Sequence, residues 1–148
     1  MRSNSLQLRI INKSRHSLPE YHTSGSAGFD VRADLNEPII LSSGEWRVIP
    51  TGLFVQIPDG YELQVRSRSG LAAKNGLAVL NSPGTIDSDY RGEIGVILIN
   101  HSTKPHEIVN GDRVAQLVLA KHETAEFVEV SELDDTDRGQ GGFGHTGH

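Results

Sequence analysis

Leu53-Phe-Val-Gln-Ile-Pro-Asp-Gly-Tyr-Glu-Leu-Gln-Val65 holds the pattern of the whole chain. Two alternating runs, 53–57 and 61–65, flank a break at Pro58 and Gly60. Alternation gives each run one buried and one wet face, which is the period of a strand. The same pattern recurs outward in Leu6-Gln-Leu-Arg-Ile10, Trp46-Arg-Val-Ile49 and Phe127-Val-Glu-Val130. Glycine and proline interrupt the chain throughout. Between Pro19 and Gly111 no stretch free of both exceeds nine residues. An average helix needs about 11–12, so only a short helical turn fits, near 71–74 and before Gly76. Residues 94–99 (IGVILI) and 114–120 (VAQLVLA) are more continuously apolar. They read as strands buried on both faces, in the core or against another subunit. About eleven or twelve short strands at this spacing predict an all-β fold, a jelly-roll-like barrel or sandwich.

The chain of 148 residues is one domain's worth. Leu, Ile, Val and Phe make up 27% of it, enough for a packed core. Residues 1–137 show no break in composition and read as a single β domain. Residues 138–148 hold five glycines and one phenylalanine. That segment adds nothing to a core and reads as a separate functional arm or a loose tail.

Charge and cysteine remove whole classes of function. The net charge is −5, which gives no general attraction to nucleic-acid backbones or anionic lipid. Cysteine is absent, so disulfides, thiolate metal sites and thiol catalysis are excluded. No apolar run approaches the ~20 residues of a membrane span, and no secretory leader is visible. A soluble, cytoplasmic protein without nucleic-acid or membrane partners is expected. The seven histidines follow no metal-binding spacing and read as surface residues. Arg2, Arg9, Lys13 and Arg15 read as a solvated basic N-terminus. Gly142, Gly144 and Gly147 fit a dinucleotide fingerprint formally, but one residue follows where a helix is required.

Four polar loops carry residues that turn chemistry does not demand. Ala27-Gly-Phe-Asp30 places a carboxylate at Asp30. Arg66-Ser-Arg-Ser-Gly70 lies between a strand and the short turn, and suits phosphate oxygens. The stretch from Asn81 to Glu93 has turn signals at Pro83-Gly84 and Arg91-Gly92. Read as a hairpin, it offers backbone groups and the carboxylate of Asp87 on one concave side. The glycine-rich tail brings one cation, Arg138, and one stacking face, Phe143. Each loop alone is also compatible with ordinary turns or a disordered end. Together they suit a nucleoside triphosphate: arginines and amides for phosphates, a hairpin edge and aromatics for base and sugar. Asp30 and Asp87 suit a magnesium shell and a water-activating base.

These residues resemble the five ordered motifs of the trimeric dUTP pyrophosphatases. The counterparts are Ala27-Gly-Phe-Asp-Val-Arg-Ala33, Arg68-Ser-Gly-Leu-Ala72 and Gly84-Thr-Ile-Asp-Ser-Asp-Tyr-Arg-Gly-Glu93. Gly111-Asp-Arg-Val-Ala-Gln-Leu117 and Arg138-Gly-Gln-Gly-Gly-Phe-Gly-His-Thr-Gly147 follow. His145 stands where serine is common, and Gly95 where many relatives carry a larger residue.

The resemblance implies a homotrimer with three sites, each built from all three chains. The first, second and fourth motifs would come from one chain, the third from a second and the tail from a third. It implies Mg2+-dependent hydrolysis of dUTP to dUMP and pyrophosphate. This would remove dUTP from the nucleotide pool and supply dUMP for thymidylate synthesis. Asp87 would be the base, and Asp30 would hold magnesium through its waters. Arg68, Ser69 and Gly70 would meet the phosphates, supported by Gln116 and Arg138. Asn81 and the backbone of Thr85, Ile86 and Asp87 would read uracil. Tyr90 would pack on the deoxyribose and exclude a 2′-hydroxyl. Phe143 would cover the base, and the backbone amides of Gly144, His145 and Thr146 would be available to the phosphates. A dCTP deaminase shares the fold, but needs a glutamate at the amine end of the base and lacks this tail. A nucleotide-sensing binding protein has no use for Asp87. A plain structural jelly roll leaves the tail unexplained.

Overall fold

The computed structural model describes residues 6–147. Arg2 and the last tail residue, His148, lie outside them. Ten strands and one helix form among the described residues. The strands are β1 (Arg9–Asn12), β2 (Phe29–Arg32), β3 (Ile39–Leu41), β4 (Trp46–Gln56) and β5 (Tyr61–Arg66). After α1 (Ser69–Asn75) come β6 (Leu77–Val79), β7 (Gly84–Ile86), β8 (Glu93–Asn100), β9 (His106–Ile108) and β10 (Arg113–Lys121). They pair antiparallel into two four-stranded sheets, β1-β4-β8-β6 and β2-β10-β5-β7, with β3-β9 apart. The all-β expectation holds. The strand at 127–130 does not form: Phe127 is 97% exposed and the segment pairs with no strand among the described residues.

Alternation does what the sequence implies. On β5, Leu63 and Val65 face inward, while Gln64 and Arg66 face outward. On β2, Phe29 and Val31 face inward, while Asp30 and Arg32 face outward. One apolar cluster draws on both large sheets, with Leu41, Ile49, Leu63, Leu98 and Leu117 among its members. The two continuous apolar runs are buried for different reasons. On β10 the register shifts between Arg113 and Ala115, so Val114 and Ala115 both turn inward. On β8, Ile94, Val96 and Leu98 fill the chain's own core. The opposite face of β8 carries Gly95 and Ile97, set across from Pro50 and Val48 of β4.

Among the described residues, every buried polar side-chain atom has a hydrogen-bond partner. The amide nitrogen of Asn100 donates to Leu41 O at 2.9 Å and Lys104 O at 2.8 Å. Its oxygen accepts from Ser102 N at 2.9 Å and Ser102 Oγ at 2.7 Å. Thr51 Oγ1 donates to Ile94 O at 2.6 Å and ties β4 to β8. Gly52 has φ +67°, and a Cβ there would stand 2.8 Å from Ser14. The basic N-terminus is more than solvated charge. Arg15 Nη1 donates to Leu35 O at 2.6 Å, its guanidinium also meets Asn36, and Lys13 lies over the Phe54 ring. His16 is likewise engaged: its Nε2 lies 3.1 Å from Ala33 O and 3.0 Å from Asn110 Oδ1.

Candidate active site

Outward-facing residues of the second sheet meet the start of α1 around a cavity of about 760 Å³. Asp30, Arg68 and Gln116 line it, together with Arg32 and Arg113. The register explains the convergence. Asp30 on β2 pairs with Gln116 on β10, and Gln116 pairs with Arg66 at the end of β5. Two residues further on, Arg68 caps α1 with an extended backbone. Its Nε lies 3.2 Å from Asp30 Oδ1, and its Nη1 donates to Arg113 O at 3.2 Å. Arg113 Nη1 lies 3.5 Å from Asp30 Oδ2. Both oxygens of the carboxylate therefore face a guanidinium.

Gln116 Nε2 donates to Ser67 O at 3.0 Å, which ties β10 to the loop before α1. Gly28 makes room for this amide: a Cβ there would stand 2.9 Å from Gln116 Oε1 and 3.0 Å from Leu117 O. Ser69 and Gly70 are exposed on the first turn of α1, and nothing lies within 4 Å of a Cβ placed on Gly70. The helix stops at Gly76, whose φ of +66° closes the turn onto Ala72 O.

The third motif is elsewhere on the molecule. Asn81, Thr85, Asp87 and Tyr90 are exposed, while Ile86, the last residue of β7, is buried. Ile86 pairs with Leu63, so Asp87 continues β7 toward the level of Glu62. Asp30 sits at the level of Arg66, three strands away. With strands about 4.8 Å apart and about 3.3 Å per residue along them, Asp30 and Asp87 of one chain are separated by roughly 20 Å. No single phosphate chain in this cavity reaches both.

The tail is also apart. Arg138, Phe143, Gly144, His145 and Thr146 are exposed, and Phe143 has φ +44°. Arg138 Nε donates to Gly141 O at 2.7 Å within the tail itself. The structure thus gathers Asp30, Arg68 and Gln116, with Ser69 and Gly70 adjoining. It leaves the hairpin and tail residues at two other places. Arg113 and Gly28 also belong to the cavity, although neither stands out in the sequence as a ligand-binding residue. The signal for Arg113 was a cation directly before an apolar strand, at the level of Arg32 on β2.

The donor set fits magnesium of one particular kind. Among the described residues, no three His, Asp or Glu side chains gather as a metal cage. Asp30 offers a single carboxylate beside arginines. Magnesium keeps most of its waters and commonly rests on one or two carboxylates plus substrate phosphates. Asp30 suits that mode, in which the ion arrives with the phosphates.

Comparison with known proteins agrees with the family resemblance. The dUTPase family profile matches residues 14–147. Deoxyuridine 5'-triphosphate nucleotidohydrolase of Fusobacterium nucleatum is 56% identical over 142 residues, covering 96% of this chain and 97% of that protein. The enzyme of the same name from Chlamydia trachomatis is 60% identical over 136 residues, covering 91% and 94%. Among solved structures, a mutant dUTPase of Staphylococcus bacteriophage 80alpha with dUpNHpp superimposes with a TM-score of 0.88. It is 27% identical and covers 97% of this chain and 100% of that one. A mutant dUTPase of the S. aureus phage phi11, described with a structural Mg(II) ion, superimposes with a TM-score of 0.79 at 27% identity. There the coverage is 88% and 100%. With a family match across nearly its whole length and relatives above half identity, the chain belongs to the dUTPase family.

Proposed function

We propose that the chain hydrolyses dUTP to dUMP and pyrophosphate in the cytoplasm, as a magnesium-dependent homotrimer with shared sites. One observation carries this reading. Three of the five motifs converge on one arginine-lined cavity, in a chain that matches the family from residue 14 to 147. The Asp87 carboxylate takes a proton from a water, whose oxygen attacks the α-phosphorus. The bond to the bridging oxygen breaks and pyrophosphate leaves. Arg68, Ser69 and the open backbone at Gly70 hold the phosphates, with Gln116 bracing the loop. When bound at Asp30 through its waters, magnesium offsets charge on the phosphate oxygens. Asn81 and the backbone from Thr85 to Asp87 read the uracil edge, and Tyr90 walls the deoxyribose. Arg138 and Phe143 close from a third chain, with the amides of Gly144, His145 and Thr146 at the phosphates.

Two features support the trimer. Asp30 and Asp87 lie too far apart in one chain to act on one phosphate, so a complete site needs a second copy. The chain also leaves apolar surface uncovered. Trp46 and Val48 stand 57% and 62% exposed on β4, beside the outer face of β8. Phe127, Val128 and Leu133 are exposed on the way to the tail. Large apolar side chains left this exposed suit burial against another copy.

The test is pyrophosphate release with magnesium across dUTP, dCTP, dTTP and UTP, alongside the mass of the purified assembly. Turnover of dUTP far above the others, by a trimer, is expected. Ammonia release from dCTP, or comparable rates on dUTP and dCTP, overturns the reading.

A further inference from the structure

The hairpin that carries Asp87 also contains a glycine whose backbone does not require it. Gly92 is absent from the glycines in the left-handed region, so its φ is one that an ordinary residue adopts. What a side chain there would meet is the far end of the Tyr90 side chain. A Cβ at position 92 would stand 2.5 Å from Tyr90 Cζ and 2.9 Å from Tyr90 Cε2, and closer still to the hydroxyl oxygen. The Tyr90 ring lies folded back over residue 92. Its hydroxyl donates to Glu93 O at 2.9 Å. Glu93 opens β8, and its Oε1 accepts from Gly52 N of β4 at 2.7 Å. A single line of contacts therefore runs from the Tyr90 ring to the sheet. Near the backbone, Tyr90 N donates to Asp87 O at 3.2 Å, and Arg91 Nη1 donates to Ser88 O at 2.6 Å. The turn is held at both ends, and the ring rests in the space that Gly92 leaves empty.

We propose that Gly92 is a positioning residue that sets discrimination against ribonucleotides, by leaving the space that fixes the Tyr90 ring. This rests on the reading of the site as one for dUTP, with Tyr90 against the sugar. The ring is 46% exposed, so its direction depends on the empty space at 92 and the bond to Glu93 O. Any Cβ at 92 pushes the ring off that bond. A wall displaced by about 1 Å no longer meets C2′ of the sugar, and a site that rejects a hydroxyl by contact loses the rejection when the contact moves. Gly92 does not touch substrate, and the chemistry at Asp87 does not need it.

The test is a cycle of variants on the purified assembly, read as the ratio of kcat/KM for dUTP to kcat/KM for UTP. Gly92→Ala is expected to lower that ratio about tenfold or more. Tyr90→Ala removes the ring and lowers the ratio by itself. In the Tyr90→Ala background, Gly92→Ala has nothing left to displace, so the double variant is expected to match the single one. A merely structural role for Gly92 would survive removal of the ring. A Gly92→Ala enzyme with the parent's ratio overturns the proposal, as does a double variant clearly below Tyr90→Ala. A parent enzyme with no preference for dUTP over UTP overturns the substrate reading itself. A selective parent with an unaffected Gly92→Ala variant leaves that reading standing and removes this one. Thermal unfolding of each variant keeps loss of fold distinct from loss of selectivity.

Discussion

Arg68 and Asp30 are paired: the guanidinium Nε stands 3.2 Å from the carboxylate Oδ1. The same guanidinium reaches Arg113 O through Nη1. One planar group thus fixes the carboxylate and the start of β10 together. Lysine has a charge but no fork and cannot hold both. Arg68→Lys should therefore lower kcat/KM for dUTP by about tenfold or more, chiefly through KM. Steady-state pyrophosphate release measures this. An unchanged KM would show that Arg68 does not act on the phosphates.

Asp30 should govern the metal requirement. Asp30→Asn keeps the shape but removes the negative charge that favours hydrated magnesium. The midpoint of magnesium activation should rise several-fold, while the rate at saturating magnesium recovers in part. A titration with the midpoint of the parent would place the ion elsewhere.

Asp87→Asn should abolish most turnover without loss of binding. The amide cannot accept the proton of the attacking water, and loss of a general base typically costs ~10²–10⁴-fold. Single-turnover hydrolysis and equilibrium binding of a non-hydrolysable analogue separate the two effects. A near-parent rate would require another base.

The shared site has its own test. A chain lacking residues 138–148 and a chain with Asp87→Asn should each be nearly inactive. Refolded together, they should regain part of the activity. Some sites in mixed trimers would combine an intact Asp87 with an intact tail from another chain. Mixed trimers with no activity above either parent would confine each site to one chain.

Asn100 predicts stability rather than rate. It is fully buried and satisfies Leu41 O, Lys104 O and both donors of Ser102. Asn100→Ala strands those groups, at a cost of about 2–4 kcal/mol. Denaturant unfolding reads the loss, while activity per folded protein should stay close to that of the parent.

The alternating runs at 53–57 and 61–65 made the sheets legible, because period-two burial is a local property of the residues. The short helix was legible for the same reason, since Gly76 marks its end. The run at 127–130 has equally good alternation and forms no strand, because pairing depends on a neighbour and none among the described residues takes it. The burial of both Val114 and Ala115 comes from a register shift that no spacing rule reveals. At the site, Asp30, Arg68 and Gln116 stood out as polar residues beside strands, and the register brought them together. The role of Arg113 was hidden, because its partner Asp30 lies 83 positions away in sequence. Gly28 was visible as a glycine, but its reason, the approach of Gln116, exists only across two paired strands.

The distance between Asp30 and Asp87 has a kinetic consequence. On the shared-site reading, a chain that has left its neighbours holds every catalytic group and no working site. Turnover then depends on how many chains are assembled, not on how many are folded. Specific activity should stay flat as the enzyme is diluted, until subunits begin to part, and then fall more steeply than in proportion to protein. A lone chain would bind phosphates in its cavity and release them unchanged.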